Sequence, residues 1–206
     1  NVEGFPQDLD GNIAIIESEI EDHRTFVREY FRDNHPEIMR HPRMRISEVL
    51  FLSEADNELE FIELTNISAD TVDLLGWTIE GIRFEFTESV VVDPGGVIVV
   101  AKSPAELQAA TDVDPSVCFG PYSGSLANRG ETLRLLDAGP GYPATVDYLD
   151  YDADTFPRVL PGFSIELRDV SGNFDNDHPA AWKGSESVGG TPGNLGDAGP
   201  TFIRGD

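Results

Sequence analysis

The sequence predicts a mainly β protein, an antiparallel β-sandwich with a short helical extension at its amino terminus. Three observations carry that reading. From Arg45 onward short apolar runs recur, punctuated by Gly, Pro, Asp and Asn, as in a sandwich of short strands. Helical periodicity is confined to a segment before residue 36. With 39 % hydrophobic and 9 % aromatic residues, the 206-residue chain can bury one good core plus an extension, or two small domains.

In the extension, Ile16, Ile20, His23, Phe26, Val27, Tyr30 and Phe31 recur at helical spacing. The pattern stops at Asn34-His35-Pro36, and a short second turn follows over Pro36–Arg40. Such a helix must bury its apolar stripe on the following domain or on one upstream. The strands are expected at Ile46–Leu52, Glu60–Asn66, Val72–Glu80, Arg83–Phe86, Val90–Val92 and Val97–Ala101. After a short helix or loop at Pro104–Thr111 come Val117–Tyr122, Thr132–Leu136, Val146–Tyr151 and Ser164–Leu167. Glu60–Asn66 and Val72–Glu80 read as a strand pair, with Trp77 expected at the centre of the core. Asp93-Pro94-Gly95-Gly96 is a turn in which proline presets one dihedral and glycine supplies a positive φ. Asn128-Arg129-Gly130 is another, and Asn66 with Ser68 suits a turn closed by side chains onto their own backbone. The expected organisation is a helical extension or end of an upstream domain over 1–45, a sandwich over 46–197 and a loose tail over 198–206.

Charge narrows the function. Thirty-eight acids against 14 basic residues give a net charge of −24, and the lysines are Lys102 and Lys183 alone. Residues 1–45 carry −4 of it and residues 46–206 carry −20. A surface this negative repels phosphate backbones and anionic lipid, so nucleic acid and membrane surfaces are poor partners. It suits a secreted protein, a cation binder or a salt-adapted host. No apolar run approaches the roughly 18 residues of a membrane-spanning helix. The amino terminus has no basic segment leading into an apolar run, so no signal peptide is expected within it. Cys118, the single cysteine, excludes an internal disulfide and reads as a buried strand residue between Val117 and Phe119.

Several of these pieces come in a familiar order. They are Ile46-Ser47-Glu48-Val49, Glu60-Phe61-Ile62-Glu63-Leu64-Thr65-Asn66 and Val72-Asp73-Leu74-Leu75-Gly76-Trp77. Pro94-Gly95-Gly96-Val97-Ile98-Val99-Val100, the stretch Leu126–Leu135, and Trp182 with Gly190-Thr191-Pro192-Gly193-Asn194 follow. Over about Ile46 to Asn194 the chain resembles the lamin tail domain, the immunoglobulin-like module of nuclear lamins that also occurs in secreted bacterial proteins. The resemblance implies an immunoglobulin-like sandwich and a non-catalytic interaction, adhesion or scaffold module in an extracellular or cell-surface protein. It implies a protein partner or a neighbouring domain of the same chain. Bacterial copies often sit beside kinase-like domains of the spore-coat-protein-H type or beside hydrolases. An alternative follows, a calcium-stabilised accessory domain of a secreted enzyme lying upstream. The chromatin role of lamins does not carry over to so acidic a chain.

One segment looks like a metal loop. Set against a calcium-binding EF-hand loop, Asp8, Asp10 and Asn12 take positions one, three and five, and Glu19 takes the bidentate twelfth. Ile13 stands where the motif wants glycine, and the seven residues before Asp8 leave no room for an entering helix. The plain alternative is a solvated turn capping the helix. Asp150, Asp152 and Asp154 would share one side of a strand continued past Tyr151, either as a cation site or as a polar strand end. Asp175-Asn176-Asp177 is a similar acidic loop. The motifs HExxH, GxSxG and the P-loop are absent, and Gly139-Pro140-Gly141-Tyr142-Pro143-Ala144 reads as a turn rather than a dinucleotide site. The histidines are isolated, so no catalytic residues are expected. Asn66-Ile67-Ser68 has the form of a glycosylation sequon, and Arg204-Gly205-Asp206 that of an integrin tripeptide.

Overall fold

The computed structural model describes residues 44–53, 58–139, 143–170 and 177–195, together with Glu19, Ile20, His23 and Phe26. The chain divides into two compact units, Asn1–His41 and Pro42–Asp206. In the first, the four described residues are exposed, and Glu19, Ile20, His23 and Phe26 are helical, as the spacing predicts. The rest of the apolar stripe lies outside the described residues.

The second unit is the sandwich. Its strands are β1 (Met44–Leu50), β2 (Phe61–Asn66), β3 (Val72–Asp73), β4 (Thr78–Glu80), β5 (Phe84–Glu85) and β6 (Val91–Val92). Then come β7 (Val97–Ala101), helix α1 (Pro104–Ala110), β8 (Cys118–Phe119), β9 (Gly130–Leu136), β10 (Thr145–Asp152), β11 (Ile165–Leu167) and β12 (Trp182–Gly184). A six-stranded sheet runs β12-β11-β1-β2-β7-β8, a four-stranded sheet runs β10-β9-β4-β5, and β3 pairs with β6. All pairings are antiparallel except β7 with β8. Between the sheets lies the main core. Ile46, Ile62, Leu64, Val100 and Ile165 from one sheet meet Ile79, Leu133, Leu135, Leu149 and Tyr151 from the other. The period-two alternation of each strand sends these side chains to one layer.

The expected strand pair is corrected. β2 pairs with β1 and β7, and the stretch Val72–Glu80 is two strands in two different sheets. Gly76 causes the break. Its φ of 78° lies in the left-handed region, which an extended strand cannot accommodate. Trp77 N–H then bonds back to Leu74 O at 2.9 Å and closes a turn. The two halves still face each other across the core, where Trp77 packs in the same cluster as Ile62 and Leu64. The largest fully buried side chain is Trp182, on a strand the periodicity did not predict.

The turn chemistry is as expected. Asn66 Oδ1 accepts from Ser68 N–H (2.9 Å) and Ser68 Oγ (2.6 Å), and its Nδ2 donates to Asp70 O and Val92 O. Gly95 N–H reaches Asn66 O, and Gly96 N–H closes its own turn on Asp93 O. The fully buried Asn66 therefore ties β2 to both loops beside it.

Every residue of β1 and β2 is buried, because the outer face of the six-stranded sheet is covered as well. One half of that face is apolar. Leu50, Phe61, Val99, Ala101 and Cys118 pack there with Leu107 of α1 and with Val113. The other half is polar and lies beneath residues 185–195, a closing strap that follows β12.

Candidate functional site

The polar half is built by strand register. Glu63 on β2 stands opposite Glu48 on β1, Glu48 opposite Glu166 on β11, and Glu166 opposite Lys183 on β12. A bulge between Ile46 and Glu48 lets Ser47 and Glu48 both reach this layer. Ser47 Oγ donates to Glu63 Oε1 at 2.7 Å and accepts from Thr65 Oγ1 at 2.8 Å. Ser164 Oγ donates to Glu48 Oε1 at 2.5 Å. Lys183 Nζ lies 3.2 Å from Glu166 Oε2.

The strap docks onto these acids through its backbone. Thr191 N–H donates to Glu48 Oε1 (2.9 Å), Thr191 Oγ1 to Glu48 Oε2 (3.2 Å), and Gly193 N–H to Glu63 Oε2 (2.9 Å). Gly189 N–H bonds Gly162 O at 2.6 Å, and Asn194 N–H closes a turn on Thr191 O. Gly190 has a φ of 69°, and a Cβ there would overlap Glu48 Oε1 and Ser164 Oγ. The close approach requires glycine. A cleft of about 10 Å³ remains beside the pair, lined in part by Ser47, Glu48, Glu63, Glu166, Thr191 and Asn194. That is room for about one water molecule.

Burial dominates the electrostatics. It pushes Glu48 up from its ordinary 4.5 to about 7, aided by the charge of Glu166. It pushes Glu63 up to about 8, aided by the charge of Glu48. The hydrogen bonds from Ser164, Thr191, Ser47 and Gly193 act the other way and lose to desolvation. Two carboxyl groups are thus poised near neutrality, inside the scaffold, with their oxygens already engaged.

A third buried acid, Glu60, ties the other end of β2. Glu60 Oε2 accepts from Tyr122 Oη (3.0 Å) and Leu126 N–H (2.9 Å), and burial raises its pKa. Its Oε1 is buried with no partner among the described residues. Close by, Glu131 Oε1 accepts from Ala127 N–H at 2.6 Å and lies 3.1 Å from Tyr151 Oη. Both tyrosines are pushed well above their ordinary value by burial and by these acids. The network pins the loop before β9, where Gly130 N–H closes a turn on Ala127 O.

The acids singled out from the sequence fall elsewhere. Asp8, Asp10 and Asn12 lie outside the described residues, and Glu19 is exposed on its helix. The strand ends at Asp152, so Asp150 and Asp152 share its exposed side while Asp154 sits in the turn beyond. Asp150 Oδ1 accepts from Thr132 Oγ1, and Asp152 Oδ1 from Asp154 N–H. Asp177 Oδ1 accepts from Asp150 N–H. Among the described residues, no group of three or more His, Cys, Asp or Glu could hold a metal ion, and no helix is long and apolar enough to cross a membrane. Cys118 is the buried strand residue expected, its thiol pushed up by burial. The Asn66 amide is buried and bonded to two carbonyls, which makes the sequon a scaffold element.

The Glu60, Glu63 and Glu48 roles escaped sequence reasoning. Their signal is local: an acid set among apolar residues on a strand whose two faces are both to be covered, in EFIEL and ISEV.

Comparison with known proteins gives one result on family. The model of the Lamin Tail Domain family matches residues 39–152. That span runs through β10 and stops short of β11, β12 and the strap. No curated protein matches the chain, and no solved structure does.

Proposed function

This chain belongs to the lamin tail domain family, and on that premise we propose that it serves as a protein-interaction module, an adhesion or scaffold unit of an extracellular or cell-surface protein. The observation that carries the reading is the direction in which the chemistry faces. Glu48, Glu63 and Glu60, the acids shifted by burial, turn inward and hold strap and loops in place. What faces outward is shaped backbone and side chains on short strands. At the β3–β6 ribbon, Val72 and Val92 are buried while Leu75 and Val91 stand exposed. Asp73 pairs with Val91 across the ribbon, accepts from Leu75 N–H, and takes a bond from Ser89 Oγ. An apolar pair on an acidic, hydrogen-bonded base suits a partner segment that offers an apolar side chain beside a basic one.

The test is crosslinking on the cells that produce the chain. One discrete partner should be recovered with the wild type. Recovery should fall about tenfold or more for the Leu75→Asp, Val91→Asp double variant, as for loss of a small hot spot, with the melting temperature unchanged. No discrete partner would sink the module reading. A partner held equally well by the variant would remove the ribbon from it.

A further inference from the structure

We propose that the closing strap is a proton-linked latch: its amide bonds to the Glu48–Glu63 pair hold while the pair carries a proton and loosen when both groups ionise. The argument starts from which donors can reverse. Thr191 N–H and Gly193 N–H can only donate, and each occupies an oxygen of a different carboxyl group, Glu48 Oε1 and Glu63 Oε2. The remaining contacts are hydroxyls, which donate or accept. When Glu63 Oε1 carries a proton it donates to Ser47 Oγ, which turns its own hydrogen toward Thr65 Oγ1. When Glu48 Oε2 carries one it donates to Thr191 Oγ1, whose hydrogen turns toward Glu166 Oε1. The protonated pair therefore keeps both strap amides bonded.

The ionised pair strengthens each amide bond but sets two like charges side by side in a buried layer, and that repulsion is the larger effect. On β11, Glu166 adds a third carboxylate, and Lys183 on β12 is bonded to that one. On β1, Arg45 gives Nη1 to Val170 O at the border of the cleft. Opposite Glu63 on β7 is Val99, which carries no charge. Beneath the strap, Val113 is flanked by the exposed Asp112 and Asp114, and Asp114 is turned away onto Ser116 N–H. On the strap itself, Glu186 is exposed. Like charges this close disfavour joint ionisation, in keeping with the upward shifts of both groups. The pivot is present too. Gly189 and Gly190, with φ of 86° and 69°, precede the bonded turn 191–194. Release there would bare the polar outer face of β1 and β2.

Amide hydrogen exchange on the intact chain tests the latch, with rates corrected for intrinsic pH dependence. Between about pH 6 and pH 9 the opening constant of the Thr191 and Gly193 amides should rise about tenfold or more, one decade per pH unit being the limit for one proton. Amides of the β2–β7 ladder should stay unchanged. Glu63→Gln should keep the strap closed throughout, because the glutamine carbonyl can accept from Gly193 N–H while its NH₂ donates to Ser47 Oγ. A flat strap profile would overturn the proposal. So would strap and ladder amides opening together, or a Glu63→Gln chain that keeps the wild-type response. If that variant does not fold, the wild-type profiles alone decide.

Discussion

The two halves of the outer face of the six-stranded sheet are covered by different physics. Under α1, Phe61, Val99, Ala101, Leu50 and Leu107 exclude water by volume and area, with no directional demand. Under the strap, Glu48, Glu63, Ser47, Thr65 and Ser164 are just as buried but are held by donors at fixed positions. Both halves meet at Gly193, where an added Cβ would touch Val113 and Val117 on the apolar side while its N–H serves Glu63 on the other. The contrast teaches that one sheet face can carry a pH-indifferent cover and a pH-dependent one side by side. Neighbouring residues of β2 belong to each.

Perturbing each half should separate them. Phe61→Ala opens a cavity under α1 and should cost about 3–5 kcal/mol by urea unfolding. The loss should be the same at about pH 5.5 and about pH 9, since the titrating groups there are unchanged. A loss that grows with pH would mean the halves are coupled. Gly190→Ala forces a side chain into a left-handed φ and against Glu48, and should cost about 3 kcal/mol. A loss within experimental error would show that the strap adjusts freely.

The wild-type melting temperature itself should respond to pH. Glu48 and Glu63 titrate at about 7 and about 8 in the fold against 4.5 ordinarily, so between those limits the folded state binds more protons than the unfolded one. The stability they contribute is complete below 4.5 and is lost as pH rises through 7 to 8. The melting temperature should fall by several degrees across that window, and Glu63→Gln should flatten the slope. An increase in stability toward alkaline pH would contradict the burial of the pair. The smallest effect belongs to Asp150→Asn on the exposed side of β10, expected within about 0.5 kcal/mol by chemical denaturation.

The sandwich was legible because alternation and turn chemistry are local. β7 falls where the sequence places it, from Val97 to Ala101, and the Asp93–Gly96 turn leads into it. The Asn66 turn also follows from side chains that bond their own backbone. Three features were not legible, each for a non-local reason. Gly76 permits the break in Val72–Glu80, but the sheets its two halves join are chosen by β6, β5 and β9. β12 is three residues long and ends in Gly184, so its pairing with β11 comes from register rather than propensity. The acids Glu48 and Glu63 look like exposed strand positions until the strap, more than a hundred residues later, is seen lying on them.

That separation also bears on how the domain is made. β1 lies at the middle of its sheet, yet β11 beside it and the strap above it are synthesised more than a hundred residues after it. Ser164 and Thr191 stand 116 and 143 positions downstream of Glu48. A nascent chain therefore holds an unfinished central strand until residue 195 has left the ribosome. Contacts of such range close slowly, so the edge of β1 that β11 will cover stays unpaired through most of the domain's synthesis.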